Sequence, residues 1–328
     1  MKKAVVTGIF GQDGSYLTEI LYNKGYEVHG IIRKPLSQNT KRIAQYLFGK
    51  EIKIHTHEID LNEYRDVVKL LAELKPDECY HLAATHYSSS TSQGERKKIA
   101  CTLYENNIRS ASHLIHGINE VSPKTRLVLA GSCLMFDGTS QSPQTELTPY
   151  QSNSLYGLSK IAAAELARFY RDTENMHFST VILYNHESPR RGSSFVTQKI
   201  AEQVVLIKEK QKKEIVLGNM DSQKDWGYAK DYAYGMWLMA QADSPDDYIL
   251  STGVTHTVED FLRLAFQAVN ITGWKNYIRL EPSYTSVGQA QLIGNADKAY
   301  RKLGWKHTIK FDELVTLMVQ SVALHTLD

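Results

Sequence analysis

The segment Thr7-Gly8-Ile9-Phe10-Gly11-Gln12-Asp13-Gly14 constrains the fold more than any other stretch. Its GxxGxxG spacing lies between a short apolar run, AVVTG (Ala4 to Gly8), and the helical pattern SYLTEILYNKG that ends at Gly25. A glycine pattern alone is weak, but between a strand and a helix it describes a phosphate-binding turn. Gly8 permits the tight turn, Gly11 lets backbone approach a pyrophosphate, and Gly14 lets helix and strand pack closely. The first N–H groups of the helix and its positive dipole end then face the anion. With Phe10, Gln12 and Asp13 between the glycines, the segment predicts a dinucleotide site.

Further apolar runs follow at Tyr26 to Ile32, Ile52 to Asp60, Glu78 to Ala84 and Arg126 to Ser132, separated by segments of helical spacing such as EYRDVVKLLAEL. Strands alternating with helices of this length mean βαβ units. Right-handed crossovers make the expected fold α/β, a Rossmann-type doubly wound parallel sheet. After Val181 to Asn185 the pattern loosens into short strands and the helical stretches FVTQKIAEQVVLIKE, TVEDFLRLAFQAV and FDELVTLMVQSVAL. The expected division is a dinucleotide-binding domain over 1–180 and a smaller mixed α/β substrate lobe over 181–328.

Composition narrows the function. The 328 residues, 42% of them hydrophobic, suffice for a large core, and 38 basic against 36 acidic residues leave a net charge of +2. No basic face announces nucleic acid, and the run Lys208 to Lys213 reads as a solvated helix end. Three scattered cysteines (Cys79, Cys101, Cys133) suggest neither a disulfide framework nor a metal site. The first residues meet Gly and Asp too early for a signal peptide, and no apolar stretch is long enough for a bilayer. The expectation is a cytoplasmic protein without nucleic-acid or membrane partners.

The second strand ends in Ile32-Arg33-Lys34, with no acid where an NAD enzyme places one for the ribose. Two cations suit a 2′-phosphate, so NADP is expected, with NAD as the alternative. Asp60 and Leu61 follow the third strand, placed for the adenine, and Leu82, Ala83 and Ala84 follow the fourth. The chemistry is expected from Tyr156-Gly157-Leu158-Ser159-Lys160, which opens a helix from Leu155 to Arg171. A spacing of four puts phenol and ammonium on one face. The cation is expected to lower the phenol pKa so that Tyr156 can take a proton from a sugar hydroxyl. Ser132, ending the preceding strand, can hydrogen-bond that hydroxyl.

The glycine turn, the YxxxK pair and the upstream serine are the marks of an extended short-chain dehydrogenase. TGIFGQDGSYL, GYEVHGIIR, YNHESPRRGSSFVTQKI, LGNMDSQKDWGYAKDY and STGVTHTVEDF resemble the corresponding segments of the GDP-mannose 4,6-dehydratases, over nearly the whole chain. The resemblance implies a GDP-linked sugar substrate, held by Asn185, Glu187, Arg191, Val196, Lys199, Leu217 and Asn219. It also implies a homodimer or homotetramer pairing through the YxxxK helix, where Ile161, Ala162, Ala163, Leu166 and Phe169 are apolar. Arg191 suits the pyrophosphate, because guanidinium matches phosphate oxygens bidentately.

The chain departs from this family at several points. The family reaction oxidises C4, removes the C5 proton with a carboxylate, expels water from C6 and returns the hydride there. The carboxylate position is Leu134 in Ser132-Cys133-Leu134-Met135-Phe136-Asp137. Lys224 stands for the family arginine before Asp225-Trp226-Gly227, and Ser283 to Gly288 lacks the family's charged pair. LAATHYSSS (Leu82 to Ser90) differs in the sugar-facing loop. The expected activity is hydride transfer at C4 of a GDP-hexose, as a 4-keto reductase or as C4 oxidation coupled to epimerisation or rearrangement. The alternatives are a 4,6-dehydratase with a relocated base, Cys133 or Asp137, and a non-catalytic binding homologue.

Overall fold

A computed structural model describes residues 1–86, 93–281 and 291–327; the tail of the LAATHYSSS segment and the whole of Ser283 to Gly288 lie outside them. Among the described residues the main sheet has seven strands: β1 (Lys3–Thr7), β2 (Glu27–Ile32), β3 (Ile54–Glu58), β4 (Glu78–His81), β5 (Arg126–Ala130), β6 (Phe178–Leu183) and β10 (Tyr248–Leu250). Their order is β10-β6-β5-β4-β1-β2-β3, with every pairing parallel. The order reverses between β1 and β4, which opens a crevice at the carboxyl ends of these strands.

The near-continuous apolar runs follow from burial on both faces. On one face Val6, Val28 and Tyr80 pack with α1 (Gln12–Asn23), α2 (Gln38–Gly49) and α7 (Ala229–Gln241). On the other, Val5, Cys79 and Leu127 pack with α3 (Tyr64–Leu74), α4 (Gln93–Val121) and α5 (Leu155–Glu174). A second core gathers α6 (Val196–Lys208), β8 (Ile215–Leu217), β9 (Gln223–Tyr228), α8 (Val258–Ala268) and α10 (Phe311–Leu324), with Phe261, Phe266 and Met318 fully enclosed. β9 joins β7 (Asn185–Glu187) and β11 (Thr255–Thr257) in a three-stranded sheet, and β8 pairs with β12 (Ile278–Leu280).

The expected division at residue 180 meets a chain that crosses back. α7, β10 and α9 (Asp297–Leu303) lie far along the sequence, yet Met236, Leu250 and Ala299 belong to the main sheet's core. Among the described residues no helix is long and apolar enough to cross a membrane. Cys79 and Cys133 are buried and Cys101 is exposed, all three as free thiols.

Candidate functional site

The glycine turn sits where β1 gives way to α1. Gly8 adopts φ +69°, and a Cβ there would meet the Ala83 nitrogen at 3.0 Å. A Cβ on Gly14 would strike the Gly8 carbonyl. Gly11 is the N-cap of α1 and no side chain caps that end, so the first backbone donors are left to a ligand. Thr7 Oγ1 accepts the N–H groups of Leu82 and Ala83 at 3.1 and 3.0 Å, which ties the loop after β4 against the turn. A backbone-lined cradle of this kind fits a pyrophosphate.

At the adenosine end, Asp60 Oδ1 accepts the Asn62 N–H at 2.9 Å, and the Leu61 carbonyl lies 2.9 Å from His113 Nδ1. Arg33 and Lys34 are exposed beyond β2, but Lys34 pairs with Glu58 at 2.6 Å. The stretch lacks an acid in sequence; the register of β2 against β3 supplies one in space.

The candidate catalytic pair is set by the start of α5. Ser154 caps that helix by accepting the Gly157 N–H at 3.1 Å, which fixes the turn carrying Tyr156. Lys160 lies one turn on, 5% exposed, its Nζ 5.6 Å from the centre of the Tyr156 ring. Burial pushes the Lys160 ammonium down to about 8. The expected lowering of the Tyr156 pKa is not what the protein shows. Burial first, then the charges of Cys133 and Asp13, push the phenol up, against a smaller opposing pull from Arg191. Desolvation outweighs the cation here, so Tyr156 is held protonated at neutral pH.

The segment after β5 also departs from expectation. Cys133–Phe136 is a 3₁₀ turn rather than a strand, capped by Ser132 Oγ, which accepts the Leu134 N–H at 3.2 Å. Cys133 packs with Phe136, Ile182 and Tyr184, and burial pushes its thiol up to about 12. Asp137 Oδ1 accepts the Ser152 hydroxyl at 2.9 Å and the Asn153 N–H at 2.5 Å, serving as a brace for the loop. Neither group is disposed to act as a proton acceptor in place of Leu134.

The substrate-side residues fall into two groups. In the first, Arg191 Nε stands 3.1 Å from Glu187 Oε2, its guanidinium 3.6 Å above the Phe195 ring. Glu187, 2% exposed, also accepts the Thr197 hydroxyl at 2.7 Å, while Asn185 begins the same short strand. Lys224 on β9 is lowered by burial and feels the Cys133 thiol. The second group surrounds β8. Lys199 Nζ donates to the Val216 carbonyl at 3.0 Å, and Leu217 is buried beside it. Asn219 Oδ1 accepts the Asp221 N–H at 2.7 Å, and Val196 opens α6 above them.

Four residues outside the sequence expectation lie in or behind the site. Asn107, deep in α4, exchanges hydrogen bonds with both backbone groups of Thr85, at 2.8 and 2.9 Å, and reaches Ser159 on α5 at 3.3 Å. His86 opens to solvent, its ring 5.2 Å from Phe195. Desolvation, then the charges of Arg191 and Lys160, pull its pKa down to about 4. His186 pairs with Asp13 at 2.9 Å. Arg190, fully buried, donates to Glu19 at 2.6 Å and to Ser15 at 3.1 Å. It is therefore a bolt of the fold, whereas the neighbouring Arg191 faces the site.

Comparison with known proteins gives one consistent result. The family model for GDP-mannose 4,6 dehydratase matches residues 5–318. The chain is 39% identical over 326 residues to GDP-mannose 4,6 dehydratase 2 of Arabidopsis thaliana, covering 97% of this chain and 86% of the relative. It is 36% identical over 340 residues to the Homo sapiens GDP-mannose 4,6 dehydratase, covering 97% and 90%. Among solved structures, dTDP-glucose 4,6-dehydratase from Bacillus anthracis, in complex with NAD, superposes with a TM-score of 0.82 at 17% identity over 98% of this chain and 96% of that one. RMD from Pseudomonas aeruginosa, complexed with NADPH, gives 0.79 at 17% identity over 99% of each. The two structures speak for the fold.

Proposed function

The chain belongs to the GDP-mannose 4,6-dehydratase family and is a nucleotide-sugar enzyme of that type, and we propose that it converts a GDP-hexose of the mannose type to its 4-keto-6-deoxy product with NADP. The observation that carries the proposal is the half-buried Tyr156 over the buried Lys160, on the helix that follows β5. The similarity over residues 5–318 favours 4,6-dehydration over the C4 oxidoreductase expectation.

Tyr156, protonated in the free protein, must first give up its own proton under the nearby positive charges; as the phenolate it accepts the proton of the C4 hydroxyl, while Ser132 donates to that oxygen. Lys160, with a pKa of about 8, supplies the nearby positive charge that stabilises a phenolate. A dinucleotide held by the glycine turn and Lys160 would supply a positive charge and the means to take a hydride from C4 and give it back at C6. The new ketone acidifies C5–H. A base must take that proton and the C6 hydroxyl must leave as water. Leu134 cannot do this, and we assign the role to His86, whose exposed ring stands beside Phe195 and Arg191. In our reading His86 accepts the C5 proton and passes it to the departing hydroxyl, so that one water leaves, and the proton Tyr156 took from the C4 hydroxyl is returned to C5 as hydride reaches C6. Arg191 and Lys224 hold the diphosphate, with Asn185, Glu187, Val196, Lys199, Leu217 and Asn219 around the nucleotide sugar, in a homodimer or homotetramer.

Leu134 also favours a second reading, in which C4 is oxidised or reduced without elimination. Incubation with NADP⁺ and, in turn, GDP-mannose, GDP-glucose and UDP-glucose separates the two by product mass. A dehydrated sugar nucleotide from GDP-mannose supports 4,6-dehydration. Hydride exchange without loss of water supports the second reading, and turnover of the UDP sugar alone overturns both on the nucleotide.

A further inference from the structure

The phosphate-binding turn carries a negative charge of its own. Asp13 lies in the first turn of α1, at the helix end that must receive the dinucleotide's phosphates. A bare carboxylate there would compete for the helix dipole and repel the incoming anion. The protein answers from far along the chain. His186 Nε2 lies 2.9 Å from Asp13 Oδ1, and its Nδ1 lies 2.7 Å from the Tyr184 carbonyl, which can only accept. With acceptors at both ring nitrogens, the imidazole is suited to carry both protons and a positive charge. The ring is 8% exposed and stacks on Tyr232 with centres 4.8 Å apart.

This contact belongs to a seam. Gln12 Nε2 donates to the His186 carbonyl at 3.0 Å, and Ser188 Oγ donates to Gln12 Oε1 at 2.9 Å. One helical turn on, Ser15 and Glu19 take Arg190. One face of α1 is thus bolted to residues 186, 188 and 190, which alternate with the substrate candidates Glu187 and Arg191. We propose that His186 is a positioning residue whose positive charge neutralises Asp13 in the phosphate turn, so that the dinucleotide binds more tightly while that pair is intact. The proposal rests on the dinucleotide-binding part of the reading above.

The electrostatics agree in sign on both partners. Burial works against each charge, yet His186, then Arg191 and Gln12, hold the Asp13 carboxyl below its usual range. Asp13 in turn raises His186 above 6.5, against burial and the repulsion of Arg191. The pair is therefore complete below pH 6.5 and is lost as pH rises through the raised imidazole pKa. The other ionisable groups facing it are Tyr232, stacked on the ring, and Tyr156 and His86, on which the Asp13 charge acts.

The experiment titrates NADPH, by fluorescence, into the full chain and into His186→Asn, Asp13→Asn and the double variant, at pH 6 and pH 9. His186→Asn should weaken binding by about tenfold or more, the scale of an uncompensated charge at a binding site. Adding Asp13→Asn to it should recover most of that loss, although two changes in one contact are made. The wild type should lose more affinity between pH 6 and pH 9 than Asp13→Asn does, a comparison that stands even if His186→Asn fails to fold. Losses that merely add, or equal pH dependence in wild type and Asp13→Asn, would overturn the inference while leaving the dinucleotide site in place. Absence of NADPH binding by the wild type would instead sink the cofactor reading and this inference with it.

Discussion

Lys34 Nζ and Glu58 Oε2 stand 2.6 Å apart across the ends of β2 and β3, where the ribose of a dinucleotide lies in this fold. Both side chains are more than half exposed, so the pair adds little to stability. Its consequence is for recognition, since the Lys34 charge already has a carboxylate. On the proposed NADP reading, Arg33 is then the cation expected to meet a 2′-phosphate. Arg33→Ala should weaken NADPH binding about tenfold with NADH little changed, a loss of about 1.4 kcal/mol. Lys34→Ala should do less. Equal losses for both dinucleotides would show that Arg33 does not read the phosphate.

Lys160 gives a prediction about stability. Its pKa in the folded protein, about 8, is below its ordinary 10.5. The unfolded chain therefore binds more protons between these values, and stability rises with pH across that window. Below pH 8 the buried cation costs at most about 3 kcal/mol, taking about 1.4 kcal/mol per pH unit of depression. Lys160→Met should be inactive yet more stable than the wild type in urea at pH 7, with a smaller advantage at pH 9.5. An advantage that does not shrink would mean that the ammonium is not strained by burial.

Tyr156→Phe should lower the rate of C4 chemistry by about 10²–10⁴-fold, the usual contribution of a positioned acid or base. NADPH affinity should change little. Loss of cofactor binding on a similar scale would make the tyrosine a structural support for the turn rather than the proton carrier.

His86→Gln separates the two halves of the reaction. Elimination of water should fall by about 10²-fold or more, while hydride exchange at C4 persists. An unaffected rate of water loss would remove His86 from the mechanism.

Much of this site was legible in the chain because its signals are local. The glycine turn needs only a strand before it and a helix after it, and Tyr156 and Lys160 share a face at a spacing of four residues. The parallel order follows from the same alternation. What escaped was non-local. Glu58 reaches Lys34 only through the β2–β3 register, and His186 meets Asp13 across 173 positions of sequence. Asn107 looks like any polar residue of a helix until the loop after β4 is seen closing on it. The path after β5 escaped as well, because Ser132 caps a 3₁₀ turn there and buries Cys133. The Tyr156 pKa was misjudged because an i, i+4 cation is visible in sequence, whereas the desolvation that overrides it is not.

The central claim is that this chain removes water from a GDP-hexose despite Leu134. The most direct test is GDP-mannose carrying deuterium at C4, incubated with the protein and NADP⁺ in ordinary water and followed by mass spectrometry. The account predicts a product lighter by one water that keeps the deuterium, now on C6. A sugar nucleotide that loses its deuterium without losing water would contradict it and leave an enzyme of C4 oxidation and reduction alone.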